Sequence, residues 1–244
     1  MELFADYHTH TTYSDGRGTP AENIAAAAGK GLKALGITDH GPKSIGVGVA
    51  APDTFLAIKE EVAGLAGRFP EIKVLVGAEA AVIGMDGRLD LPDKIIGRLD
   101  LLIAGLHPYY IPESLDDAFS YTLPNLLARV RLSSLEKMRN TNTKALTETV
   151  NRYRVDIVSH PNLMLPVEPD ELAVACADRE TALEVNTGHH YNKEETVRAA
   201  LRHGGLLAIN SDAHSPETVG ELASGIALVE RLGFPAERVI NAVH

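Results

Sequence analysis

The chain has one cysteine, Cys176, in 244 residues, so no internal disulfide can form and a reducing compartment is expected. Cys176 falls in a helix predicted around residues 173–177, where a buried structural thiol is the expected role. Basic residues are the minority: 23 Lys and Arg stand against 33 Asp and Glu, a formal net charge of −10. Nucleic-acid surfaces draw much of their affinity from a basic stripe, so no nucleic-acid partner is expected. No apolar run approaches the roughly 20 residues that a membrane span needs. The opening Met1-Glu2-Leu3-Phe4-Ala5-Asp6 has neither the basic nor the apolar region of a signal peptide, and a cytoplasmic protein with no membrane partner is expected. Low-complexity tracts, linkers and sequence repeats are missing. So are Gly-x-Gly-x-x-Gly and P-loop motifs, and no Ser-His-Asp or Cys-His arrangement offers a covalent nucleophile.

What is present is an ordinary globular balance, 45% hydrophobic and 23% charged, with enough chain for one well-buried core and a single domain over residues 1–244. Short apolar runs predict strands near residues 3–10, 32–38, 74–76, 101–104, 157–158, 182–185 and 206–209. Between them lie helical patterns. Thr19-Pro20-Ala21-Glu22 carries a capping box with proline at the first helical position, and that helix should end at Gly29 or Gly31. Phe55, Ile58, Val62 and Leu65 mark a helix over 53–68, and a short one is expected around 94–96. The crossover between His107 and Asp156 is longer, with Leu126, Leu127, Val130, Leu135 and Met138 apolar; Asn140-Thr141-Asn142-Thr143 reads as a break and a new N-cap. Helices near 169–178, 193–203 and 216–232 complete the pattern.

Strands alternating with helices imply a parallel sheet with right-handed crossovers. Asp6-Tyr7-His8-Thr9-His10 is the most informative stretch: on a strand, Asp6, His8 and His10 would share a face, and paired imidazoles suit zinc, manganese or iron. Six further strand ends carry metal-competent side chains, at His40, Glu79, His107, His160, Asn186 and the pair Asp212 and His214. An open doubly wound sheet would spread these ends along a line. A closed barrel would gather them in a ring at the carboxyl ends of its strands.

His-x-His, Ser14-Asp15-Gly16, Ile37-Thr38-Asp39-His40, Glu79, His107, His160 and Asp212-Ala213-His214 together resemble the PHP family, named for polymerase and histidinol phosphatase. The likeness runs in order over residues 6–214, and Thr38-Asp39-His40-Gly41-Pro42 is similar to the family's stand-alone phosphatases. The resemblance implies an α/β fold, a distorted seven-stranded TIM-like β/α barrel, with a trinuclear metal centre. It implies that His8, His10, Glu79 and Asp212 hold one ion, that Glu79 bridges to a second held by His107 and His160, and that Asp15, His40 and His214 hold the third. Two to three divalent ions of zinc, manganese or iron would be the cofactors.

The expected activity is a phosphatase acting on a small monoester of the histidinol phosphate or sugar phosphate class, with a hydroxide bridging two ions as nucleophile. Asp39, Glu79 and Asp212 are the carboxylates expected in catalysis, Asp39 chiefly as the partner that orients His40. Arg17, Asn186, His189 and His190 are expected to meet substrate, with Lys43 and Lys193 as further phosphate clamps; His203 and His244 are expected at a helix end and a frayed end. A homo-oligomer is compatible with this reading. An amidohydrolase would also use His-x-His and a late aspartate, but its bridging lysine on strand four has no counterpart between Leu101 and His107. A non-catalytic polymerase accessory is disfavoured because every ligand position is filled and the pI is about 5.4. Six imidazoles and three carboxylates exceed the needs of one ion. Elemental analysis of protein purified without chelator should therefore find two to three transition-metal ions per chain; one or fewer after resupply would remove the trinuclear expectation.

Overall fold

The computed structural model describes residues 1–129 and 134–243; Val130 and His244 lie outside them. Seven strands pair in parallel in chain order: β1 (Ala5–Asp6), β2 (Ala34–Ile37), β3 (Lys73–Ala81), β4 (Leu101–Gly105), β5 (Ile157–Val158), β6 (Ala182–Asn186) and β7 (Leu206–Asn210). Helices connect them: α1 (Pro20–Gly29), α2 (Thr54–Leu65), α3 (Asp93–Ile96), α4 (Leu115–Asp117), α5 (Leu123–Arg129), α6 (Leu135–Arg152), α7 (Pro169–Asp178), α8 (Glu194–Arg202) and α9 (Ala223–Arg231). The strands are apolar on both faces because helices cover one face and the barrel interior the other. Thr19 caps α1 as expected, its hydroxyl accepting from Glu22 N while the Glu22 carboxylate accepts from Thr19 N at 2.8 Å.

Period-two alternation stacks the interior in two storeys. Leu75, Leu101, Ile103, Ile157, Ala182 and Ala208 form an apolar plug. Further along the same faces come Glu79, Gly105, Ser159, Glu184 and Asn210, a polar layer at the carboxyl ends of the strands. Register staggers that layer, Glu79 pairing with Ile103 and Glu184 with Ala208, so a polar residue of one strand lies beside a plug residue of the next.

Closure between β1 and β7 is made by side chains and short bridges. Above, Thr9 pairs with Ala213, and His10 N donates to Ala213 O at 2.8 Å. Below, the segment after Val239 runs between the two strands: Asn241 donates to Ala5 O at 2.8 Å and Ile209 O at 2.7 Å, and accepts from Ile209 N at 3.1 Å. That amide thus spans the gap between the two strands, with the backbone of the same segment bonding Phe4 N at 3.0 Å and Leu207 O at 2.9 Å.

Three sequence expectations need correction. Regular strand geometry stops at Asp6, so Asp6 does not share a face with His8 and His10; its carboxylate accepts from Ser211 N at 3.0 Å and Gly220 N at 2.8 Å, bracing the β7 end. And α6 passes straight through Asn140–Thr143 without a break. Its polar residues there serve packing: Asn142 exchanges hydrogen bonds with Asn125 at 2.9 and 3.0 Å, and the Thr143 hydroxyl accepts from Glu168 N at 2.7 Å. The helix expected over 216–232 is also shorter, a turn at Pro216–Thr218 and then α9. Replacing Asn241 with alanine would strand buried backbone groups at the seam. Urea denaturation should show a loss of about 1–3 kcal/mol at unchanged slope, and a change under about 0.5 kcal/mol would mean the seam does not depend on this amide.

Candidate metal centre

The polar storey opens into the mouth of the barrel, where Glu79 is the pivot. Its Oε2 lies 2.9 Å from His40 Nδ1, 3.4 Å from His8 Nε2 and 3.7 Å from His10 Nε2. Its Oε1 lies 2.7 Å from His160 Nε2 and 3.3 Å from His107 Nε2, and accepts from the Ser159 hydroxyl at 2.7 Å. Gly105 makes this crowding feasible: a Cβ there would come within 2.4 Å of Ser159 Oγ and 3.0 Å of both Glu79 Oε1 and His107 Cε1. Asp212 Oδ1 sits 3.1 Å from His10 Nε2 and 3.5 Å from His8 Nε2. Across the mouth, Asp15 reaches His214 at 3.4 Å and His40 at 3.7 Å. Three sets of donor atoms come close enough together to surround a cation: His8, His10 and Asp212; His40, Glu79 and His107; and His10, Asp15, His40 and His214.

The backbone is bent to deliver two of these side chains. His160 and Asp212 have φ of 27° and 52°, the left-handed region that residues with a Cβ seldom occupy. The donors fit divalent cations better than they fit one another. His8 Nε2 and His10 Nε2 face each other at 3.1 Å, where at most one proton can lie between them. His40 Nδ1 and Glu79 Oε2, despite their separation of 2.9 Å, are not aligned for a hydrogen bond and remain buried without one, as does His10 Nδ1. Such orphaned donors are the kind a metal satisfies.

Electrostatics hold the carboxylates ready. Burial raises the Glu79 pKa, but His107, His8, His160 and His40 outweigh it and hold the acid well below its usual range. Burial likewise works against the Asp212 carboxylate, and His8 and His10 overcome it. Asp15 falls to about 2, burial opposing and His214 and His40 prevailing. Burial, with His40 and His214 close by, pushes His10 down to about 3, so it stays neutral with a free lone pair. His214 rises to about 9 because Asp15 and Asp212 outweigh its burial.

Other expected residues take different positions. Asp39 does not orient His40: its oxygens accept from Thr11 N at 2.7 Å, Thr11 Oγ1 at 2.8 Å and Ser14 Oγ at 2.5 Å, so it braces the loop that carries Asp15. Asn186 is fully buried, its amide committed to Glu184 at 3.0 Å, Asp212 at 2.9 Å and His189 N at 3.1 Å, so it holds these side chains in place. His189 does reach the centre, 3.1 Å from Asp212 Oδ2, with its side chain 43% exposed. His190 is exposed and lines a hollow of about 250 Å³ beside His189, Tyr191 and Lys193. Arg17 is exposed on the loop whose backbone joins His214 O at 2.8 Å. Lys43 is paired with Glu113 and Lys193 donates to His189 O, so both are already engaged. Glu184 and Ser159, which touch the ligand candidates directly, went unassigned in the sequence. Their signal is a polar residue on the inward face of an otherwise apolar strand.

The fold and mouth define a parallel β/α barrel with a cluster of histidines and carboxylates at its strand ends. The PHP domain profile matches residues 6–188, and the chain belongs to that family. It is 30% identical to the probable phosphatase YcdX of Escherichia coli, over 97% of this chain and 89% of the relative. It is also 30% identical to a probable phosphatase of Shewanella frigidimarina, over 99% of this chain and 90% of the relative. Among solved structures, the histidinol phosphate phosphatase of Lactococcus lactis subsp. lactis, complexed with zinc, L-histidinol and phosphate, superposes with a TM-score of 0.68 at 19% identity, covering 96% of this chain and 95% of that one. A putative histidinol phosphatase of Listeria monocytogenes gives 0.59 at 14% identity, covering 91% and 99%. These likenesses bear out the distorted barrel.

Gly105→Ala should displace Ser159 from Glu79. A loss of about 1–3 kcal/mol is expected from overpacking, read as a drop in Tm of roughly 2–4 °C per kcal/mol; an unchanged Tm would show that the layer yields without cost.

Proposed function

We propose that this chain is a metal-dependent phosphatase acting on a small phosphate monoester, of the histidinol phosphate or sugar phosphate class, with two to three divalent zinc, manganese or iron ions. The observation that carries the reading is the placing of Glu79, whose two oxygens face two different imidazole groups: His8, His10 and His40 on one side, His107 and His160 on the other. A carboxylate so placed suits a bridge between cations, because it offsets the charge of both. The ligand sets we assign are His8, His10, Glu79 and Asp212; Glu79, His107 and His160; and Asp15, His40 and His214. The named phosphatases among the relatives and the zinc and phosphate in the Lactococcus structure support this reading. The seven strands form one sheet and the assigned ligands lie in it, as Glu79 does, or in the segments that follow its strands, which supports a single functional domain.

Divalent ions held there would supply Lewis acidity toward the phosphate oxygens and activate water for attack on phosphorus. The chain's own residues do the rest. Glu79, Asp212 and Asp15 keep their negative charge through the electrostatics described above, and the apolar plug closes the barrel below them. His189, partly exposed and touching Asp212, is the side chain best placed to meet the substrate or its leaving oxygen, with His190 beside it. Arg17, on the Asp15 loop, is placed to add a cation for a doubly charged monoester. No helix among the described residues is long and apolar enough to cross a membrane.

Turnover of matched aryl monoester and methyl aryl diester substrates tests the proposal. The monoester should win, and Glu79→Gln should lower kcat/KM by about 10²-fold or more while circular dichroism shows the fold retained. A preference for the diester would remove the monoesterase reading, and near wild-type turnover by Glu79→Gln would remove the bridge.

A further inference from the structure

We infer that Glu184, on β6, is the positioning residue that pre-forms this centre by fixing the His8 tautomer and holding His160 in its strained conformation; the inference rests on the metal-dependent reading above. The carboxylate is fully buried and makes no contact with solvent. Its Oε1 takes His8 Nδ1 at 2.7 Å and Asn210 Nδ2 at 2.9 Å, while its Oε2 takes His160 N at 2.8 Å and Asn186 Nδ2 at 3.0 Å. Four donors meet two oxygens, the full demand of an ionised carboxylate. With Nδ1 of His8 donating to Glu184, Nε2 is the nitrogen turned to His10, Asp212 and Glu79, the one a metal would take.

The same side chain reaches both assigned ion positions that Glu79 bridges. His8 belongs to one and His160 to the other, and the backbone N–H of His160, with φ at 27°, is tied to Glu184. Through Asn186 the linkage extends to Asp212, the other ligand candidate with a left-handed backbone. Through Asn210, which accepts from Tyr7 N at 3.1 Å, it extends to the strand end that leads into His8.

Chemistry then separates a carboxylate from its amide. In a Glu184→Gln variant the side chain would have one acceptor oxygen and one NH₂ group, so one pair of donors must meet a donor. The His160 backbone N–H cannot become an acceptor. A neutral His8 can, by moving its proton from Nδ1 to Nε2, which occupies the lone pair that a metal would take. The amide should therefore settle with its NH₂ toward His8, and metal affinity should fall though the shape of the site is unchanged.

The test measures zinc and cobalt(II) affinity of wild type and Glu184→Gln by chelator competition, together with the Tm of both chelated proteins and the activity of both across a metal titration. Expected are affinity lowered by about 10–100-fold, activity recovered by excess metal, and a metal-free Tm close to wild type. A variant that binds metal as tightly as wild type overturns the inference while leaving the phosphatase reading standing. A variant with unchanged affinity and lowered metal-free Tm overturns it in favour of a purely structural role. If wild type itself binds no divalent ion, the metal reading fails, and the inference with it. Should Glu184→Gln not fold, Glu184→Asp is read the same way: it keeps the charge but shortens the reach, so affinity between wild type and chelated background supports the inference and wild-type affinity overturns it.

Discussion

The mouth of this barrel concentrates groups that would all be charged or protonated in water, and the balance among them governs everything above the apolar plug. Glu79 is the centre of that balance. Burial disfavours its charge, yet the surrounding imidazoles make the anion the stable form. Without it, His8, His40, His107 and His160 would lose the one carboxylate that all four face. The geometry of β3 and β4 follows from this need, since Gly105 leaves the space in which Glu79, Ser159 and His107 meet. The divalent ions of the proposed function would take up the donors that the side chains leave unpaired.

The second requirement is mechanical. A ring of ligands is a ring only if β1 and β7 are held side by side, and these strands share no regular ladder. The join is distributed over Asp6, Thr9, Asn210 and Asn241, each joining the first strand's end of the chain to the last strand's. The nature of these contacts explains the distortion of the barrel. Side-chain amides and carboxylates span a wider and less regular gap than backbone hydrogen bonds do.

Much of this was legible in the sequence, for physical reasons. Strands such as Leu101–Gly105 are buried on both faces and read as continuous apolar runs, and the capping box at Thr19 and Glu22 is a local signal that tertiary packing did not override. The candidate ligands stood out because imidazoles and carboxylates at the ends of apolar strands are costly without a purpose. Less legible were the side chains that work through another residue. Asp39 looked like a partner for His40 because it is adjacent in sequence, but its oxygens turn to Thr11 and Ser14. Asn186 looked available to substrate because a strand end suggests exposure, and only the fold shows its amide committed on every side. The polar run in α6 failed in the opposite sense, since Asn142 and Thr143 look like helix breakers until Asn125 and Glu168 are brought against them.

The left-handed backbone at His160 and Asp212 places the fold and its chemistry in opposition. Glycine would suit both φ angles at lower conformational cost. Selection for robustness alone should then drift toward glycine at these two sites, each exchange relieving strain of about 1 kcal/mol or more and removing a ligand candidate. Stability would be gained by a barrel that no longer has anything to hold. Sequences that keep a side chain at both positions are, in that sense, carrying a standing thermodynamic debt to the mouth of the barrel.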